Sequence, residues 1–464
     1  MAIQPGVGGA LGRTSSEDEP RRRLFGTDGV RGVAGERLSA DLALGLGRAV
    51  TATAREEGAP APRVLVIRDT RESGEMLEAA LAAGVAAAGG EVLLGGVLPT
   101  PAAPLLVRRH GFDVAAVISA SHNPYRDNGI KFFGADGYKL SDAAELDVER
   151  RLDERFQPRP PATIGRIRAL RGTDEDYLRA LHERFAGLDL SGLDVVLDCA
   201  HGATHGVAPE IFRRLGATVT AIGDAPDGRN INDGVGSTHL EPLRAAVTSG
   251  GHDVGFAFDG DGDRVLAVDR TGAVVDGDEL IALAALHLRR AGRLVGDGVA
   301  VTVMTNYGFH AAMAAAGIEV AVTQVGDRYV LEELRARGWV LGGEQSGHII
   351  DLGFAPSGDG IASALLTLEA LNGADLAARD AMRKLPQRLV NVPVDDRDAA
   401  MGAAELTEAT AREAAALEGR GRVLVRSSGT EPLVRVMVEA PTEEEADATC
   451  ARLVALVEQV SPPA

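Results

Sequence analysis

The chain has 464 residues, of which 45% are hydrophobic and 25% charged, and its net charge is −19. That length exceeds one hydrophobic core and predicts three or four domains, while the negative charge argues against nonspecific nucleic-acid binding. No charge-free apolar run reaches the roughly 18 residues of a membrane span, and two cysteines without metal-site or disulfide spacing, Cys199 and Cys450, fit buried thiols in a reducing cytoplasm.

Residues 1–20 are Gly-rich and then acidic, without a signal-peptide layout, and read as a disordered tail. A strand–helix rhythm then sets in. Its elements are strand Arg63–Ile67, helix Glu75–Ala88, strand Val92–Leu94, helix Ala102–His110 and strand Val114–Ile118. The last strand stops at Ser119-Ala-Ser121-His122-Asn-Pro124, followed by Asn128-Gly129 and Lys131. This is a buried strand that delivers a small nucleophile, Ser121 or Ser119, into a sharply turned loop. Taken alone, Ser121-His122 is equally a turn former. No Gly-x-Ser-x-Gly elbow surrounds Ser121, and its adjacency to His122 predicts no direct contact with that base.

The rhythm restarts at strand Asp194–Asp198, helix Ala208–Leu215 and strand Ala217–Ile222, and strand Val254–Phe258 leads into Asp259-Gly-Asp261-Gly-Asp263-Arg264. Three carboxylates this close repel unless a cation sits among them, and the glycines let the backbone aim them at one point. Oxygen-only ligation suits Mg²⁺. An acidic turn without an ion is the plainer alternative, and Arg264 and Arg270 stand where a calcium EF-hand needs glycine and glutamate. A serine beside Mg²⁺ can carry a phosphoryl group, with Lys131 and Arg264 balancing its charge.

A third restart comprises helix Asp278–Ala291 and strand Val299–Met304. Strand-like Trp339–Leu341 then enters Gly342-Gly-Glu344-Gln345-Ser346-Gly-His348, where Glu344 and Ser346 alternate and in extended backbone project together toward sugar hydroxyls; an ordinary Gly-rich loop also fits. The end of the chain is different: strands Leu389–Val394, Gly421–Val425 and Val434–Val438 with an amphipathic helix Thr442–Val460 make an α+β module. Its Arg426-Ser-Ser428-Gly429-Thr430-Glu-Pro432 loop suits a phosphate dianion. The expected division is 21–172, 173–272, 273–386 and 387–464. No short-period repeat is present, although the restarts point to structural repetition.

Six segments in this order, Phe25–Gly32, Pro99-Thr-Pro101, Ser119–Pro124, Asp259–Arg264, Gly343–His348 and Arg426–Pro432, resemble the α-D-phosphohexomutase superfamily. Asn230–His239, Gly326-Asp-Arg-Tyr329 and Gln345, where mannose and glucose mutases carry Met, are similar to its bacterial phosphoglucosamine mutases. Val235 stands where that branch often has Cys.

The resemblance implies an α/β protein with four domains around a central cleft: three related α/β domains with mixed sheets and a C-terminal α+β domain. It implies that Ser121 is phosphorylated and that Ser121, Asp259, Asp261 and Asp263 hold one Mg²⁺ per chain. Arg264 contacts the phosphoserine, and Arg31 and Lys131 assist proton transfer and stabilise the moving charge. Glu344, Ser346 and His348 select the sugar. Arg426, Ser428, Gly429 and Thr430 hold the non-reacting phosphate. The implied reaction interconverts glucosamine 6-phosphate and glucosamine 1-phosphate through a sugar bisphosphate, feeding UDP-N-acetylglucosamine synthesis in the cytoplasm. The implied partners are sugar phosphates, with a homodimer allowed and neither nucleic acid nor membrane. The alternatives are a phosphomannomutase/phosphoglucomutase, a metal-dependent phosphatase and a noncatalytic sugar-phosphate sensor.

Overall fold

A computed structural model describes residues 23–26, 28–155, 157–428 and 432–461. The expected tail over 1–20, and Gly429 and Thr430 of the anion loop, lie outside the described residues. The described strands form four sheets. The first orders its strands Phe25–Gly26, Gly29–Val33, Asp127–Gly134, Val114–Ile118, Arg63–Arg68, Glu91–Val97 and Ile167–Ala169. The second runs Val274–Val275, Val265–Asp269, Val254–Phe258, Asp194–Asp198 and Thr218–Ile222, and the third Glu319–Thr323, Gly298–Thr302, Leu341–Gly343 and Ile349–Asp351. The fourth is an antiparallel trio in the order Gln387–Pro393, Leu433–Glu439 and Arg422–Ser427.

The first three sheets share one device. A strand with a parallel neighbour turns back into an antiparallel partner: Val114–Ile118 into Asp127–Gly134, Val254–Phe258 into Val265–Asp269, and Leu341–Gly343 into Ile349–Asp351. Each turn leaves the carboxyl end of a parallel strand, where α/β folds build their sites. The expected repetition is therefore a repeated hairpin, carried by no repeated residues.

Those central strands read as unbroken apolar runs because helices cover both faces; Val114–Ile118, Val254–Phe258 and Gly298–Thr302 are buried throughout. One continuous apolar core runs from Leu65 and Val117 through Phe256 and Val301 to Leu365, uniting the three α/β units. The fourth unit has a core of its own, built from Val392, Val434, Val436, Leu453 and neighbours. Its helix Glu443–Val460 starts on a Thr442 cap, with three glutamates in the first turn complementing the helix dipole.

Two expected strands shift. Trp339 and Val340 are not strand; the chain leaves a helix through left-handed Gly338 (φ 67°), and Trp339 packs over Gly298, so pairing starts at Leu341 and runs into the glycine pair. The strand expected to reach Met304 stops at Thr302, whose hydroxyl accepts a turn bond from the Met304 amide at 3.3 Å. Among the described residues, no helix is long and apolar enough to cross a membrane.

Candidate active site

The three hairpin turns meet. Ser121 sits in the first turn in left-handed backbone (φ 53°), a conformation that costs a non-glycine residue about 1 kcal/mol or more. Its surroundings hold it there. Its N–H donates to Ser119 Oγ at 2.9 Å, and its carbonyl accepts from Arg71 Nη2 and Asn232 Nδ2, both at 2.9 Å. Arg71 is fully buried against Asp69 and also donates to the carbonyls of Asn123 and Asp127.

So aimed, the Ser121 hydroxyl donates to Asp259 Oδ2 at 2.5 Å across the boundary between the first and second sheets. The same backbone corrects an expectation. Left-handed φ swings the side chain toward its neighbour, and His122 Nδ1 lies 3.3 Å from Ser121 Oγ. Burial, with Arg264 and Arg31 nearby, lowers the imidazole to about 4, so it is neutral at pH 7.

Asp259, Asp261 and Asp263 present one carboxylate oxygen each within 4.8 Å of one another, all buried. Gly260 lets the turn lie against the Ser121 carbonyl, where a Cβ would come within 2.6 Å, and Gly262 supplies φ +71°. Burial and mutual repulsion raise Asp259 well above the usual carboxylate range and raise Asp263 too. For Asp261, burial is overcome by Lys131 and a Thr100 hydrogen bond, which hold it below that range. Asp261 Oδ1 and Asp263 Oδ1 accept no hydrogen bond although buried. Crowded carboxylates with orphaned oxygens fit an oxygen-coordinated divalent cation.

Cations line one side. Lys131, on the strand after the first turn, lies 3.0 Å from Asp261, 3.2 Å from Asp28 and 3.7 Å from Asp263. Burial alone would lower its ammonium; the three carboxylates raise it instead. Arg31, on the neighbouring strand, pairs with Asp28. The Arg264 guanidinium lies 3.9 Å from Asp263, and the Arg264 backbone N–H donates to Asp259 Oδ1 at 3.1 Å.

The third turn joins through a bridge between Arg264 and His348 and a 3.1 Å bond from the Val265 amide to the Gly347 carbonyl. His348 Nε2 stands 3.7 Å from Asp327 and 4.0 Å from Asp263. The Glu344 carboxylate accepts from the Gly326 amide at 2.9 Å. The expected extended backbone is absent here. Gly347 N–H bonds back to Glu344 C=O at 3.0 Å, and the turn buries Glu344 while leaving Ser346 exposed.

Arg426 and Ser428 belong to a different neighbourhood. Arg426 Nη2 reaches Met304 Sδ at 3.6 Å beside the third sheet, and burial and Arg435 lower its guanidinium. Arg397 donates to the Ser428 carbonyl.

Sequence reasoning overlooked several groups. Thr100 Oγ1 donates to Asp261 at 2.6 Å. Asp28 gathers Arg31, Lys131 and Lys139, and Lys139 bridges onward to Asp327 at 2.5 Å, joining the first unit to the third. Asp28, Thr100 and Asp327 stand inside the quoted segments, yet nothing local marks them as partners.

Four family models match the chain: phosphoglucomutase/phosphomannomutase alpha/beta/alpha domain I over residues 22–159, domain II over 175–272, domain III over 276–389, and the C-terminal domain over 389–456. A phosphoglucosamine mutase of Moorella thermoacetica is 53% identical over 431 residues, covering 91% of this chain and 96% of its own length. Another, of Desulforudis audaxviator, is 50% identical over 446 residues, covering 94% and 98%. Among solved structures, a phosphoglucomutase/phosphomannomutase family protein of Burkholderia thailandensis matches with TM-score 0.78 at 25% identity, over 95% of this chain and 98% of that one.

Proposed function

The chain belongs to the phosphoglucomutase/phosphomannomutase family, and from that membership we propose that it interconverts glucosamine 6-phosphate and glucosamine 1-phosphate through phosphorylated Ser121 and a sugar bisphosphate. Choice of sugar is supported by the name phosphoglucosamine mutase, shared by relatives at about half identity over nearly the full chain. The chemistry rests on one observation above all: a buried serine hydroxyl bonded at 2.5 Å to a carboxylate of the aspartate triad.

In this reading a sugar hydroxyl attacks the phosphorus of phospho-Ser121. The bond from phosphorus to Oγ breaks as the new ester forms, the proton of the attacking hydroxyl ends on the freed Ser121 Oγ, and the bisphosphate turns over in the cleft. Ser121 then takes the phosphoryl group from the other end, with Asp259 Oδ2 and His122 Nδ1 both within reach of the hydroxyl proton that must leave. Phosphoryl transfer asks chiefly for alignment and charge stabilisation. The Ser119–Arg71–Asn232 hold on the Ser121 backbone supplies alignment; Lys131, Arg31 and Arg264 supply charge. Lys131, held cationic by three carboxylates, acts first as an electrostatic group. Asp259, Asp261 and Asp263, with an oxygen on Ser121, would hold one Mg²⁺, which offsets the charge of the transferring group.

Glu344, Ser346 and His348 serve the sugar, and Arg426, Ser428, Gly429 and Thr430 the distal phosphate. The units are 21–172, 173–272, 273–386 and 387–464. Two buried, unpaired cysteines support a cytoplasmic location.

Phosphorylated protein with Mg²⁺ is expected to convert glucosamine 6-phosphate with a higher kcat/KM than glucose or mannose phosphates. Ser121→Ala is expected to lose at least about 10³-fold in kcat and to lack the added phosphate that intact-mass spectrometry is expected to detect on the wild type. Isomerisation retained by that variant defeats the reading.

A further inference from the structure

We propose that Gln345 is a positioning residue that ties the Glu344–His348 turn to the linker entering the fourth unit, rather than a residue that touches the sugar; the proposal rests on the mutase reading above. Glu344 and His348 face the Arg264–Asp327 side of the turn, but Gln345 faces away. Its Nε2 donates to Asp276 Oδ2 at 3.2 Å, and the same oxygen accepts from Lys384 Nζ. Asp276 also caps helix Gly277–Arg290 through a capping box. The helix start and the turn are in close contact: the Gly277 amide donates to Gln345 O at 3.0 Å, and a Cβ on Gly277 would come within 2.1 Å of Glu344 O.

The linker is held from the same side. Arg383 O abuts Gly308, where a Cβ would fall within 2.0 Å, and Leu385 exchanges two hydrogen bonds with the Asn306 side chain at 3.0 and 2.9 Å. The next residue changes allegiance, because Pro386 O accepts from the Ala440 amide of the fourth unit at 3.1 Å. The grip therefore passes from the third unit to the fourth across Leu385–Pro386. Movement of the fourth unit pulls on Lys384, whose carboxylate anchor Gln345 shares. A sugar phosphate held at one end by the turn and at the other by the anion strand is bound by parts that this carboxylate connects.

The test uses the full chain, with Gln345→Ala, Lys384→Ala and the double variant. Exchange of the Leu385 amide, which donates to Asn306 Oδ1 at 2.9 Å, is read without ligand, and KM is read for glucosamine 6-phosphate and glucose 6-phosphate. Each single variant is expected to speed linker exchange about tenfold and to raise KM about fivefold for both sugars, leaving their ratio unchanged. The double variant is expected to be no worse than either single one, and Lys384→Arg to restore both readouts. A shifted sugar ratio in Gln345→Ala with linker exchange unmoved overturns the tie, as do additive defects. Lys384 lies in part at the surface, so its variant keeps the test alive if Gln345→Ala folds poorly; exchange at the Glu344–His348 amides then reads the tie from the other end. Failure of the mutase reading shows separately, as wild-type protein that turns over no sugar phosphate while ligand-free exchange still decides the tie.

Discussion

The Ser121 cluster and the Arg426 strand end both gather groups suited to anions, and they are attached to the molecule differently. Around Ser121, three sheets meet above a continuous apolar core, the first two through the Ser121–Asp259 hydrogen bond and the third through the backbone bridge between Arg264 and His348. Arg426 stands on a unit with its own core, which meets the third unit through a polar seam. There the buried Glu439 carboxylate accepts from the Tyr307 amide at 2.8 Å and from Arg422 Nε at 2.9 Å, and Arg422 donates to the carbonyls of Val303 and Thr305. A seam of hydrogen bonds can part by exchanging them for water, whereas splitting a shared core exposes apolar area. The difference suits the two proposed roles, a reacting centre that stays aligned and a phosphate holder that releases.

Disturbing the first region should cost most. Asp261→Asn removes the carboxylate that Lys131 and Thr100 share, along with one of the three oxygens offered to a cation. Expected is a fall in kcat of about 10²–10³-fold and weaker Mg²⁺ binding by titration calorimetry. A variant within a few-fold of wild type would erase the contrast between the regions.

Disturbing the seam should cost less activity and more cohesion. Arg422→Ala leaves Glu439 buried without its main cation, a loss of about 3 kcal/mol for a broken buried pair, with activity down about tenfold as the fourth unit docks less often. The pH sense follows from Glu439. Burial raises its carboxyl although Arg422 opposes the shift, so its contribution to the folded state is full below the unfolded carboxyl value and is lost as pH rises through the raised one. Without Arg422 the carboxyl rises further, so the stability defect should be larger at pH 8 than at pH 5, and Arg422→Ala/Glu439→Gln should abolish that difference. Thermal unfolding at the two pH values reads both.

What the sequence discloses follows the same division. Asp259, Asp261 and Asp263 are legible because one turn carries all three, and the serine turn because an apolar run halts at Ser119, although the run alone leaves Ser119 and Ser121 both open. Thr100, Asp28 and Lys139 are not, since their meaning lies in partners up to 188 positions away, as with Lys139 and Asp327. His122 misled because φ at Ser121 is set by Arg71 and Asn232, which no local pattern reports. The hairpins of the first three sheets share one pairing pattern, yet their turns carry unrelated residues, so the repetition is visible only in the fold. At the seam, Arg422 reads as a position of the strand Gly421–Val425 and Glu439 as the residue just past Val434–Val438, with nothing to mark the glutamate as fully buried.

The smallest effect expected lies inside the third turn and tests how finely the reacting region is set. In extended backbone Glu344 and Ser346 would share one face, and their substitutions would cost alike. The turn instead buries Glu344, with its carboxylate on the Gly326 amide, and leaves Ser346 exposed. Glu344→Gln keeps the shape but removes a charge that Arg264 feels, so a loss of about tenfold or more in kcat/KM is expected. Ser346→Ala removes one exposed hydroxyl, and in its proposed place beside the sugar that is worth about threefold in KM with kcat unchanged. Equal losses would mean that the turn straightens when sugar binds, and that the third hairpin moves with the fourth unit rather than staying fixed with the first two.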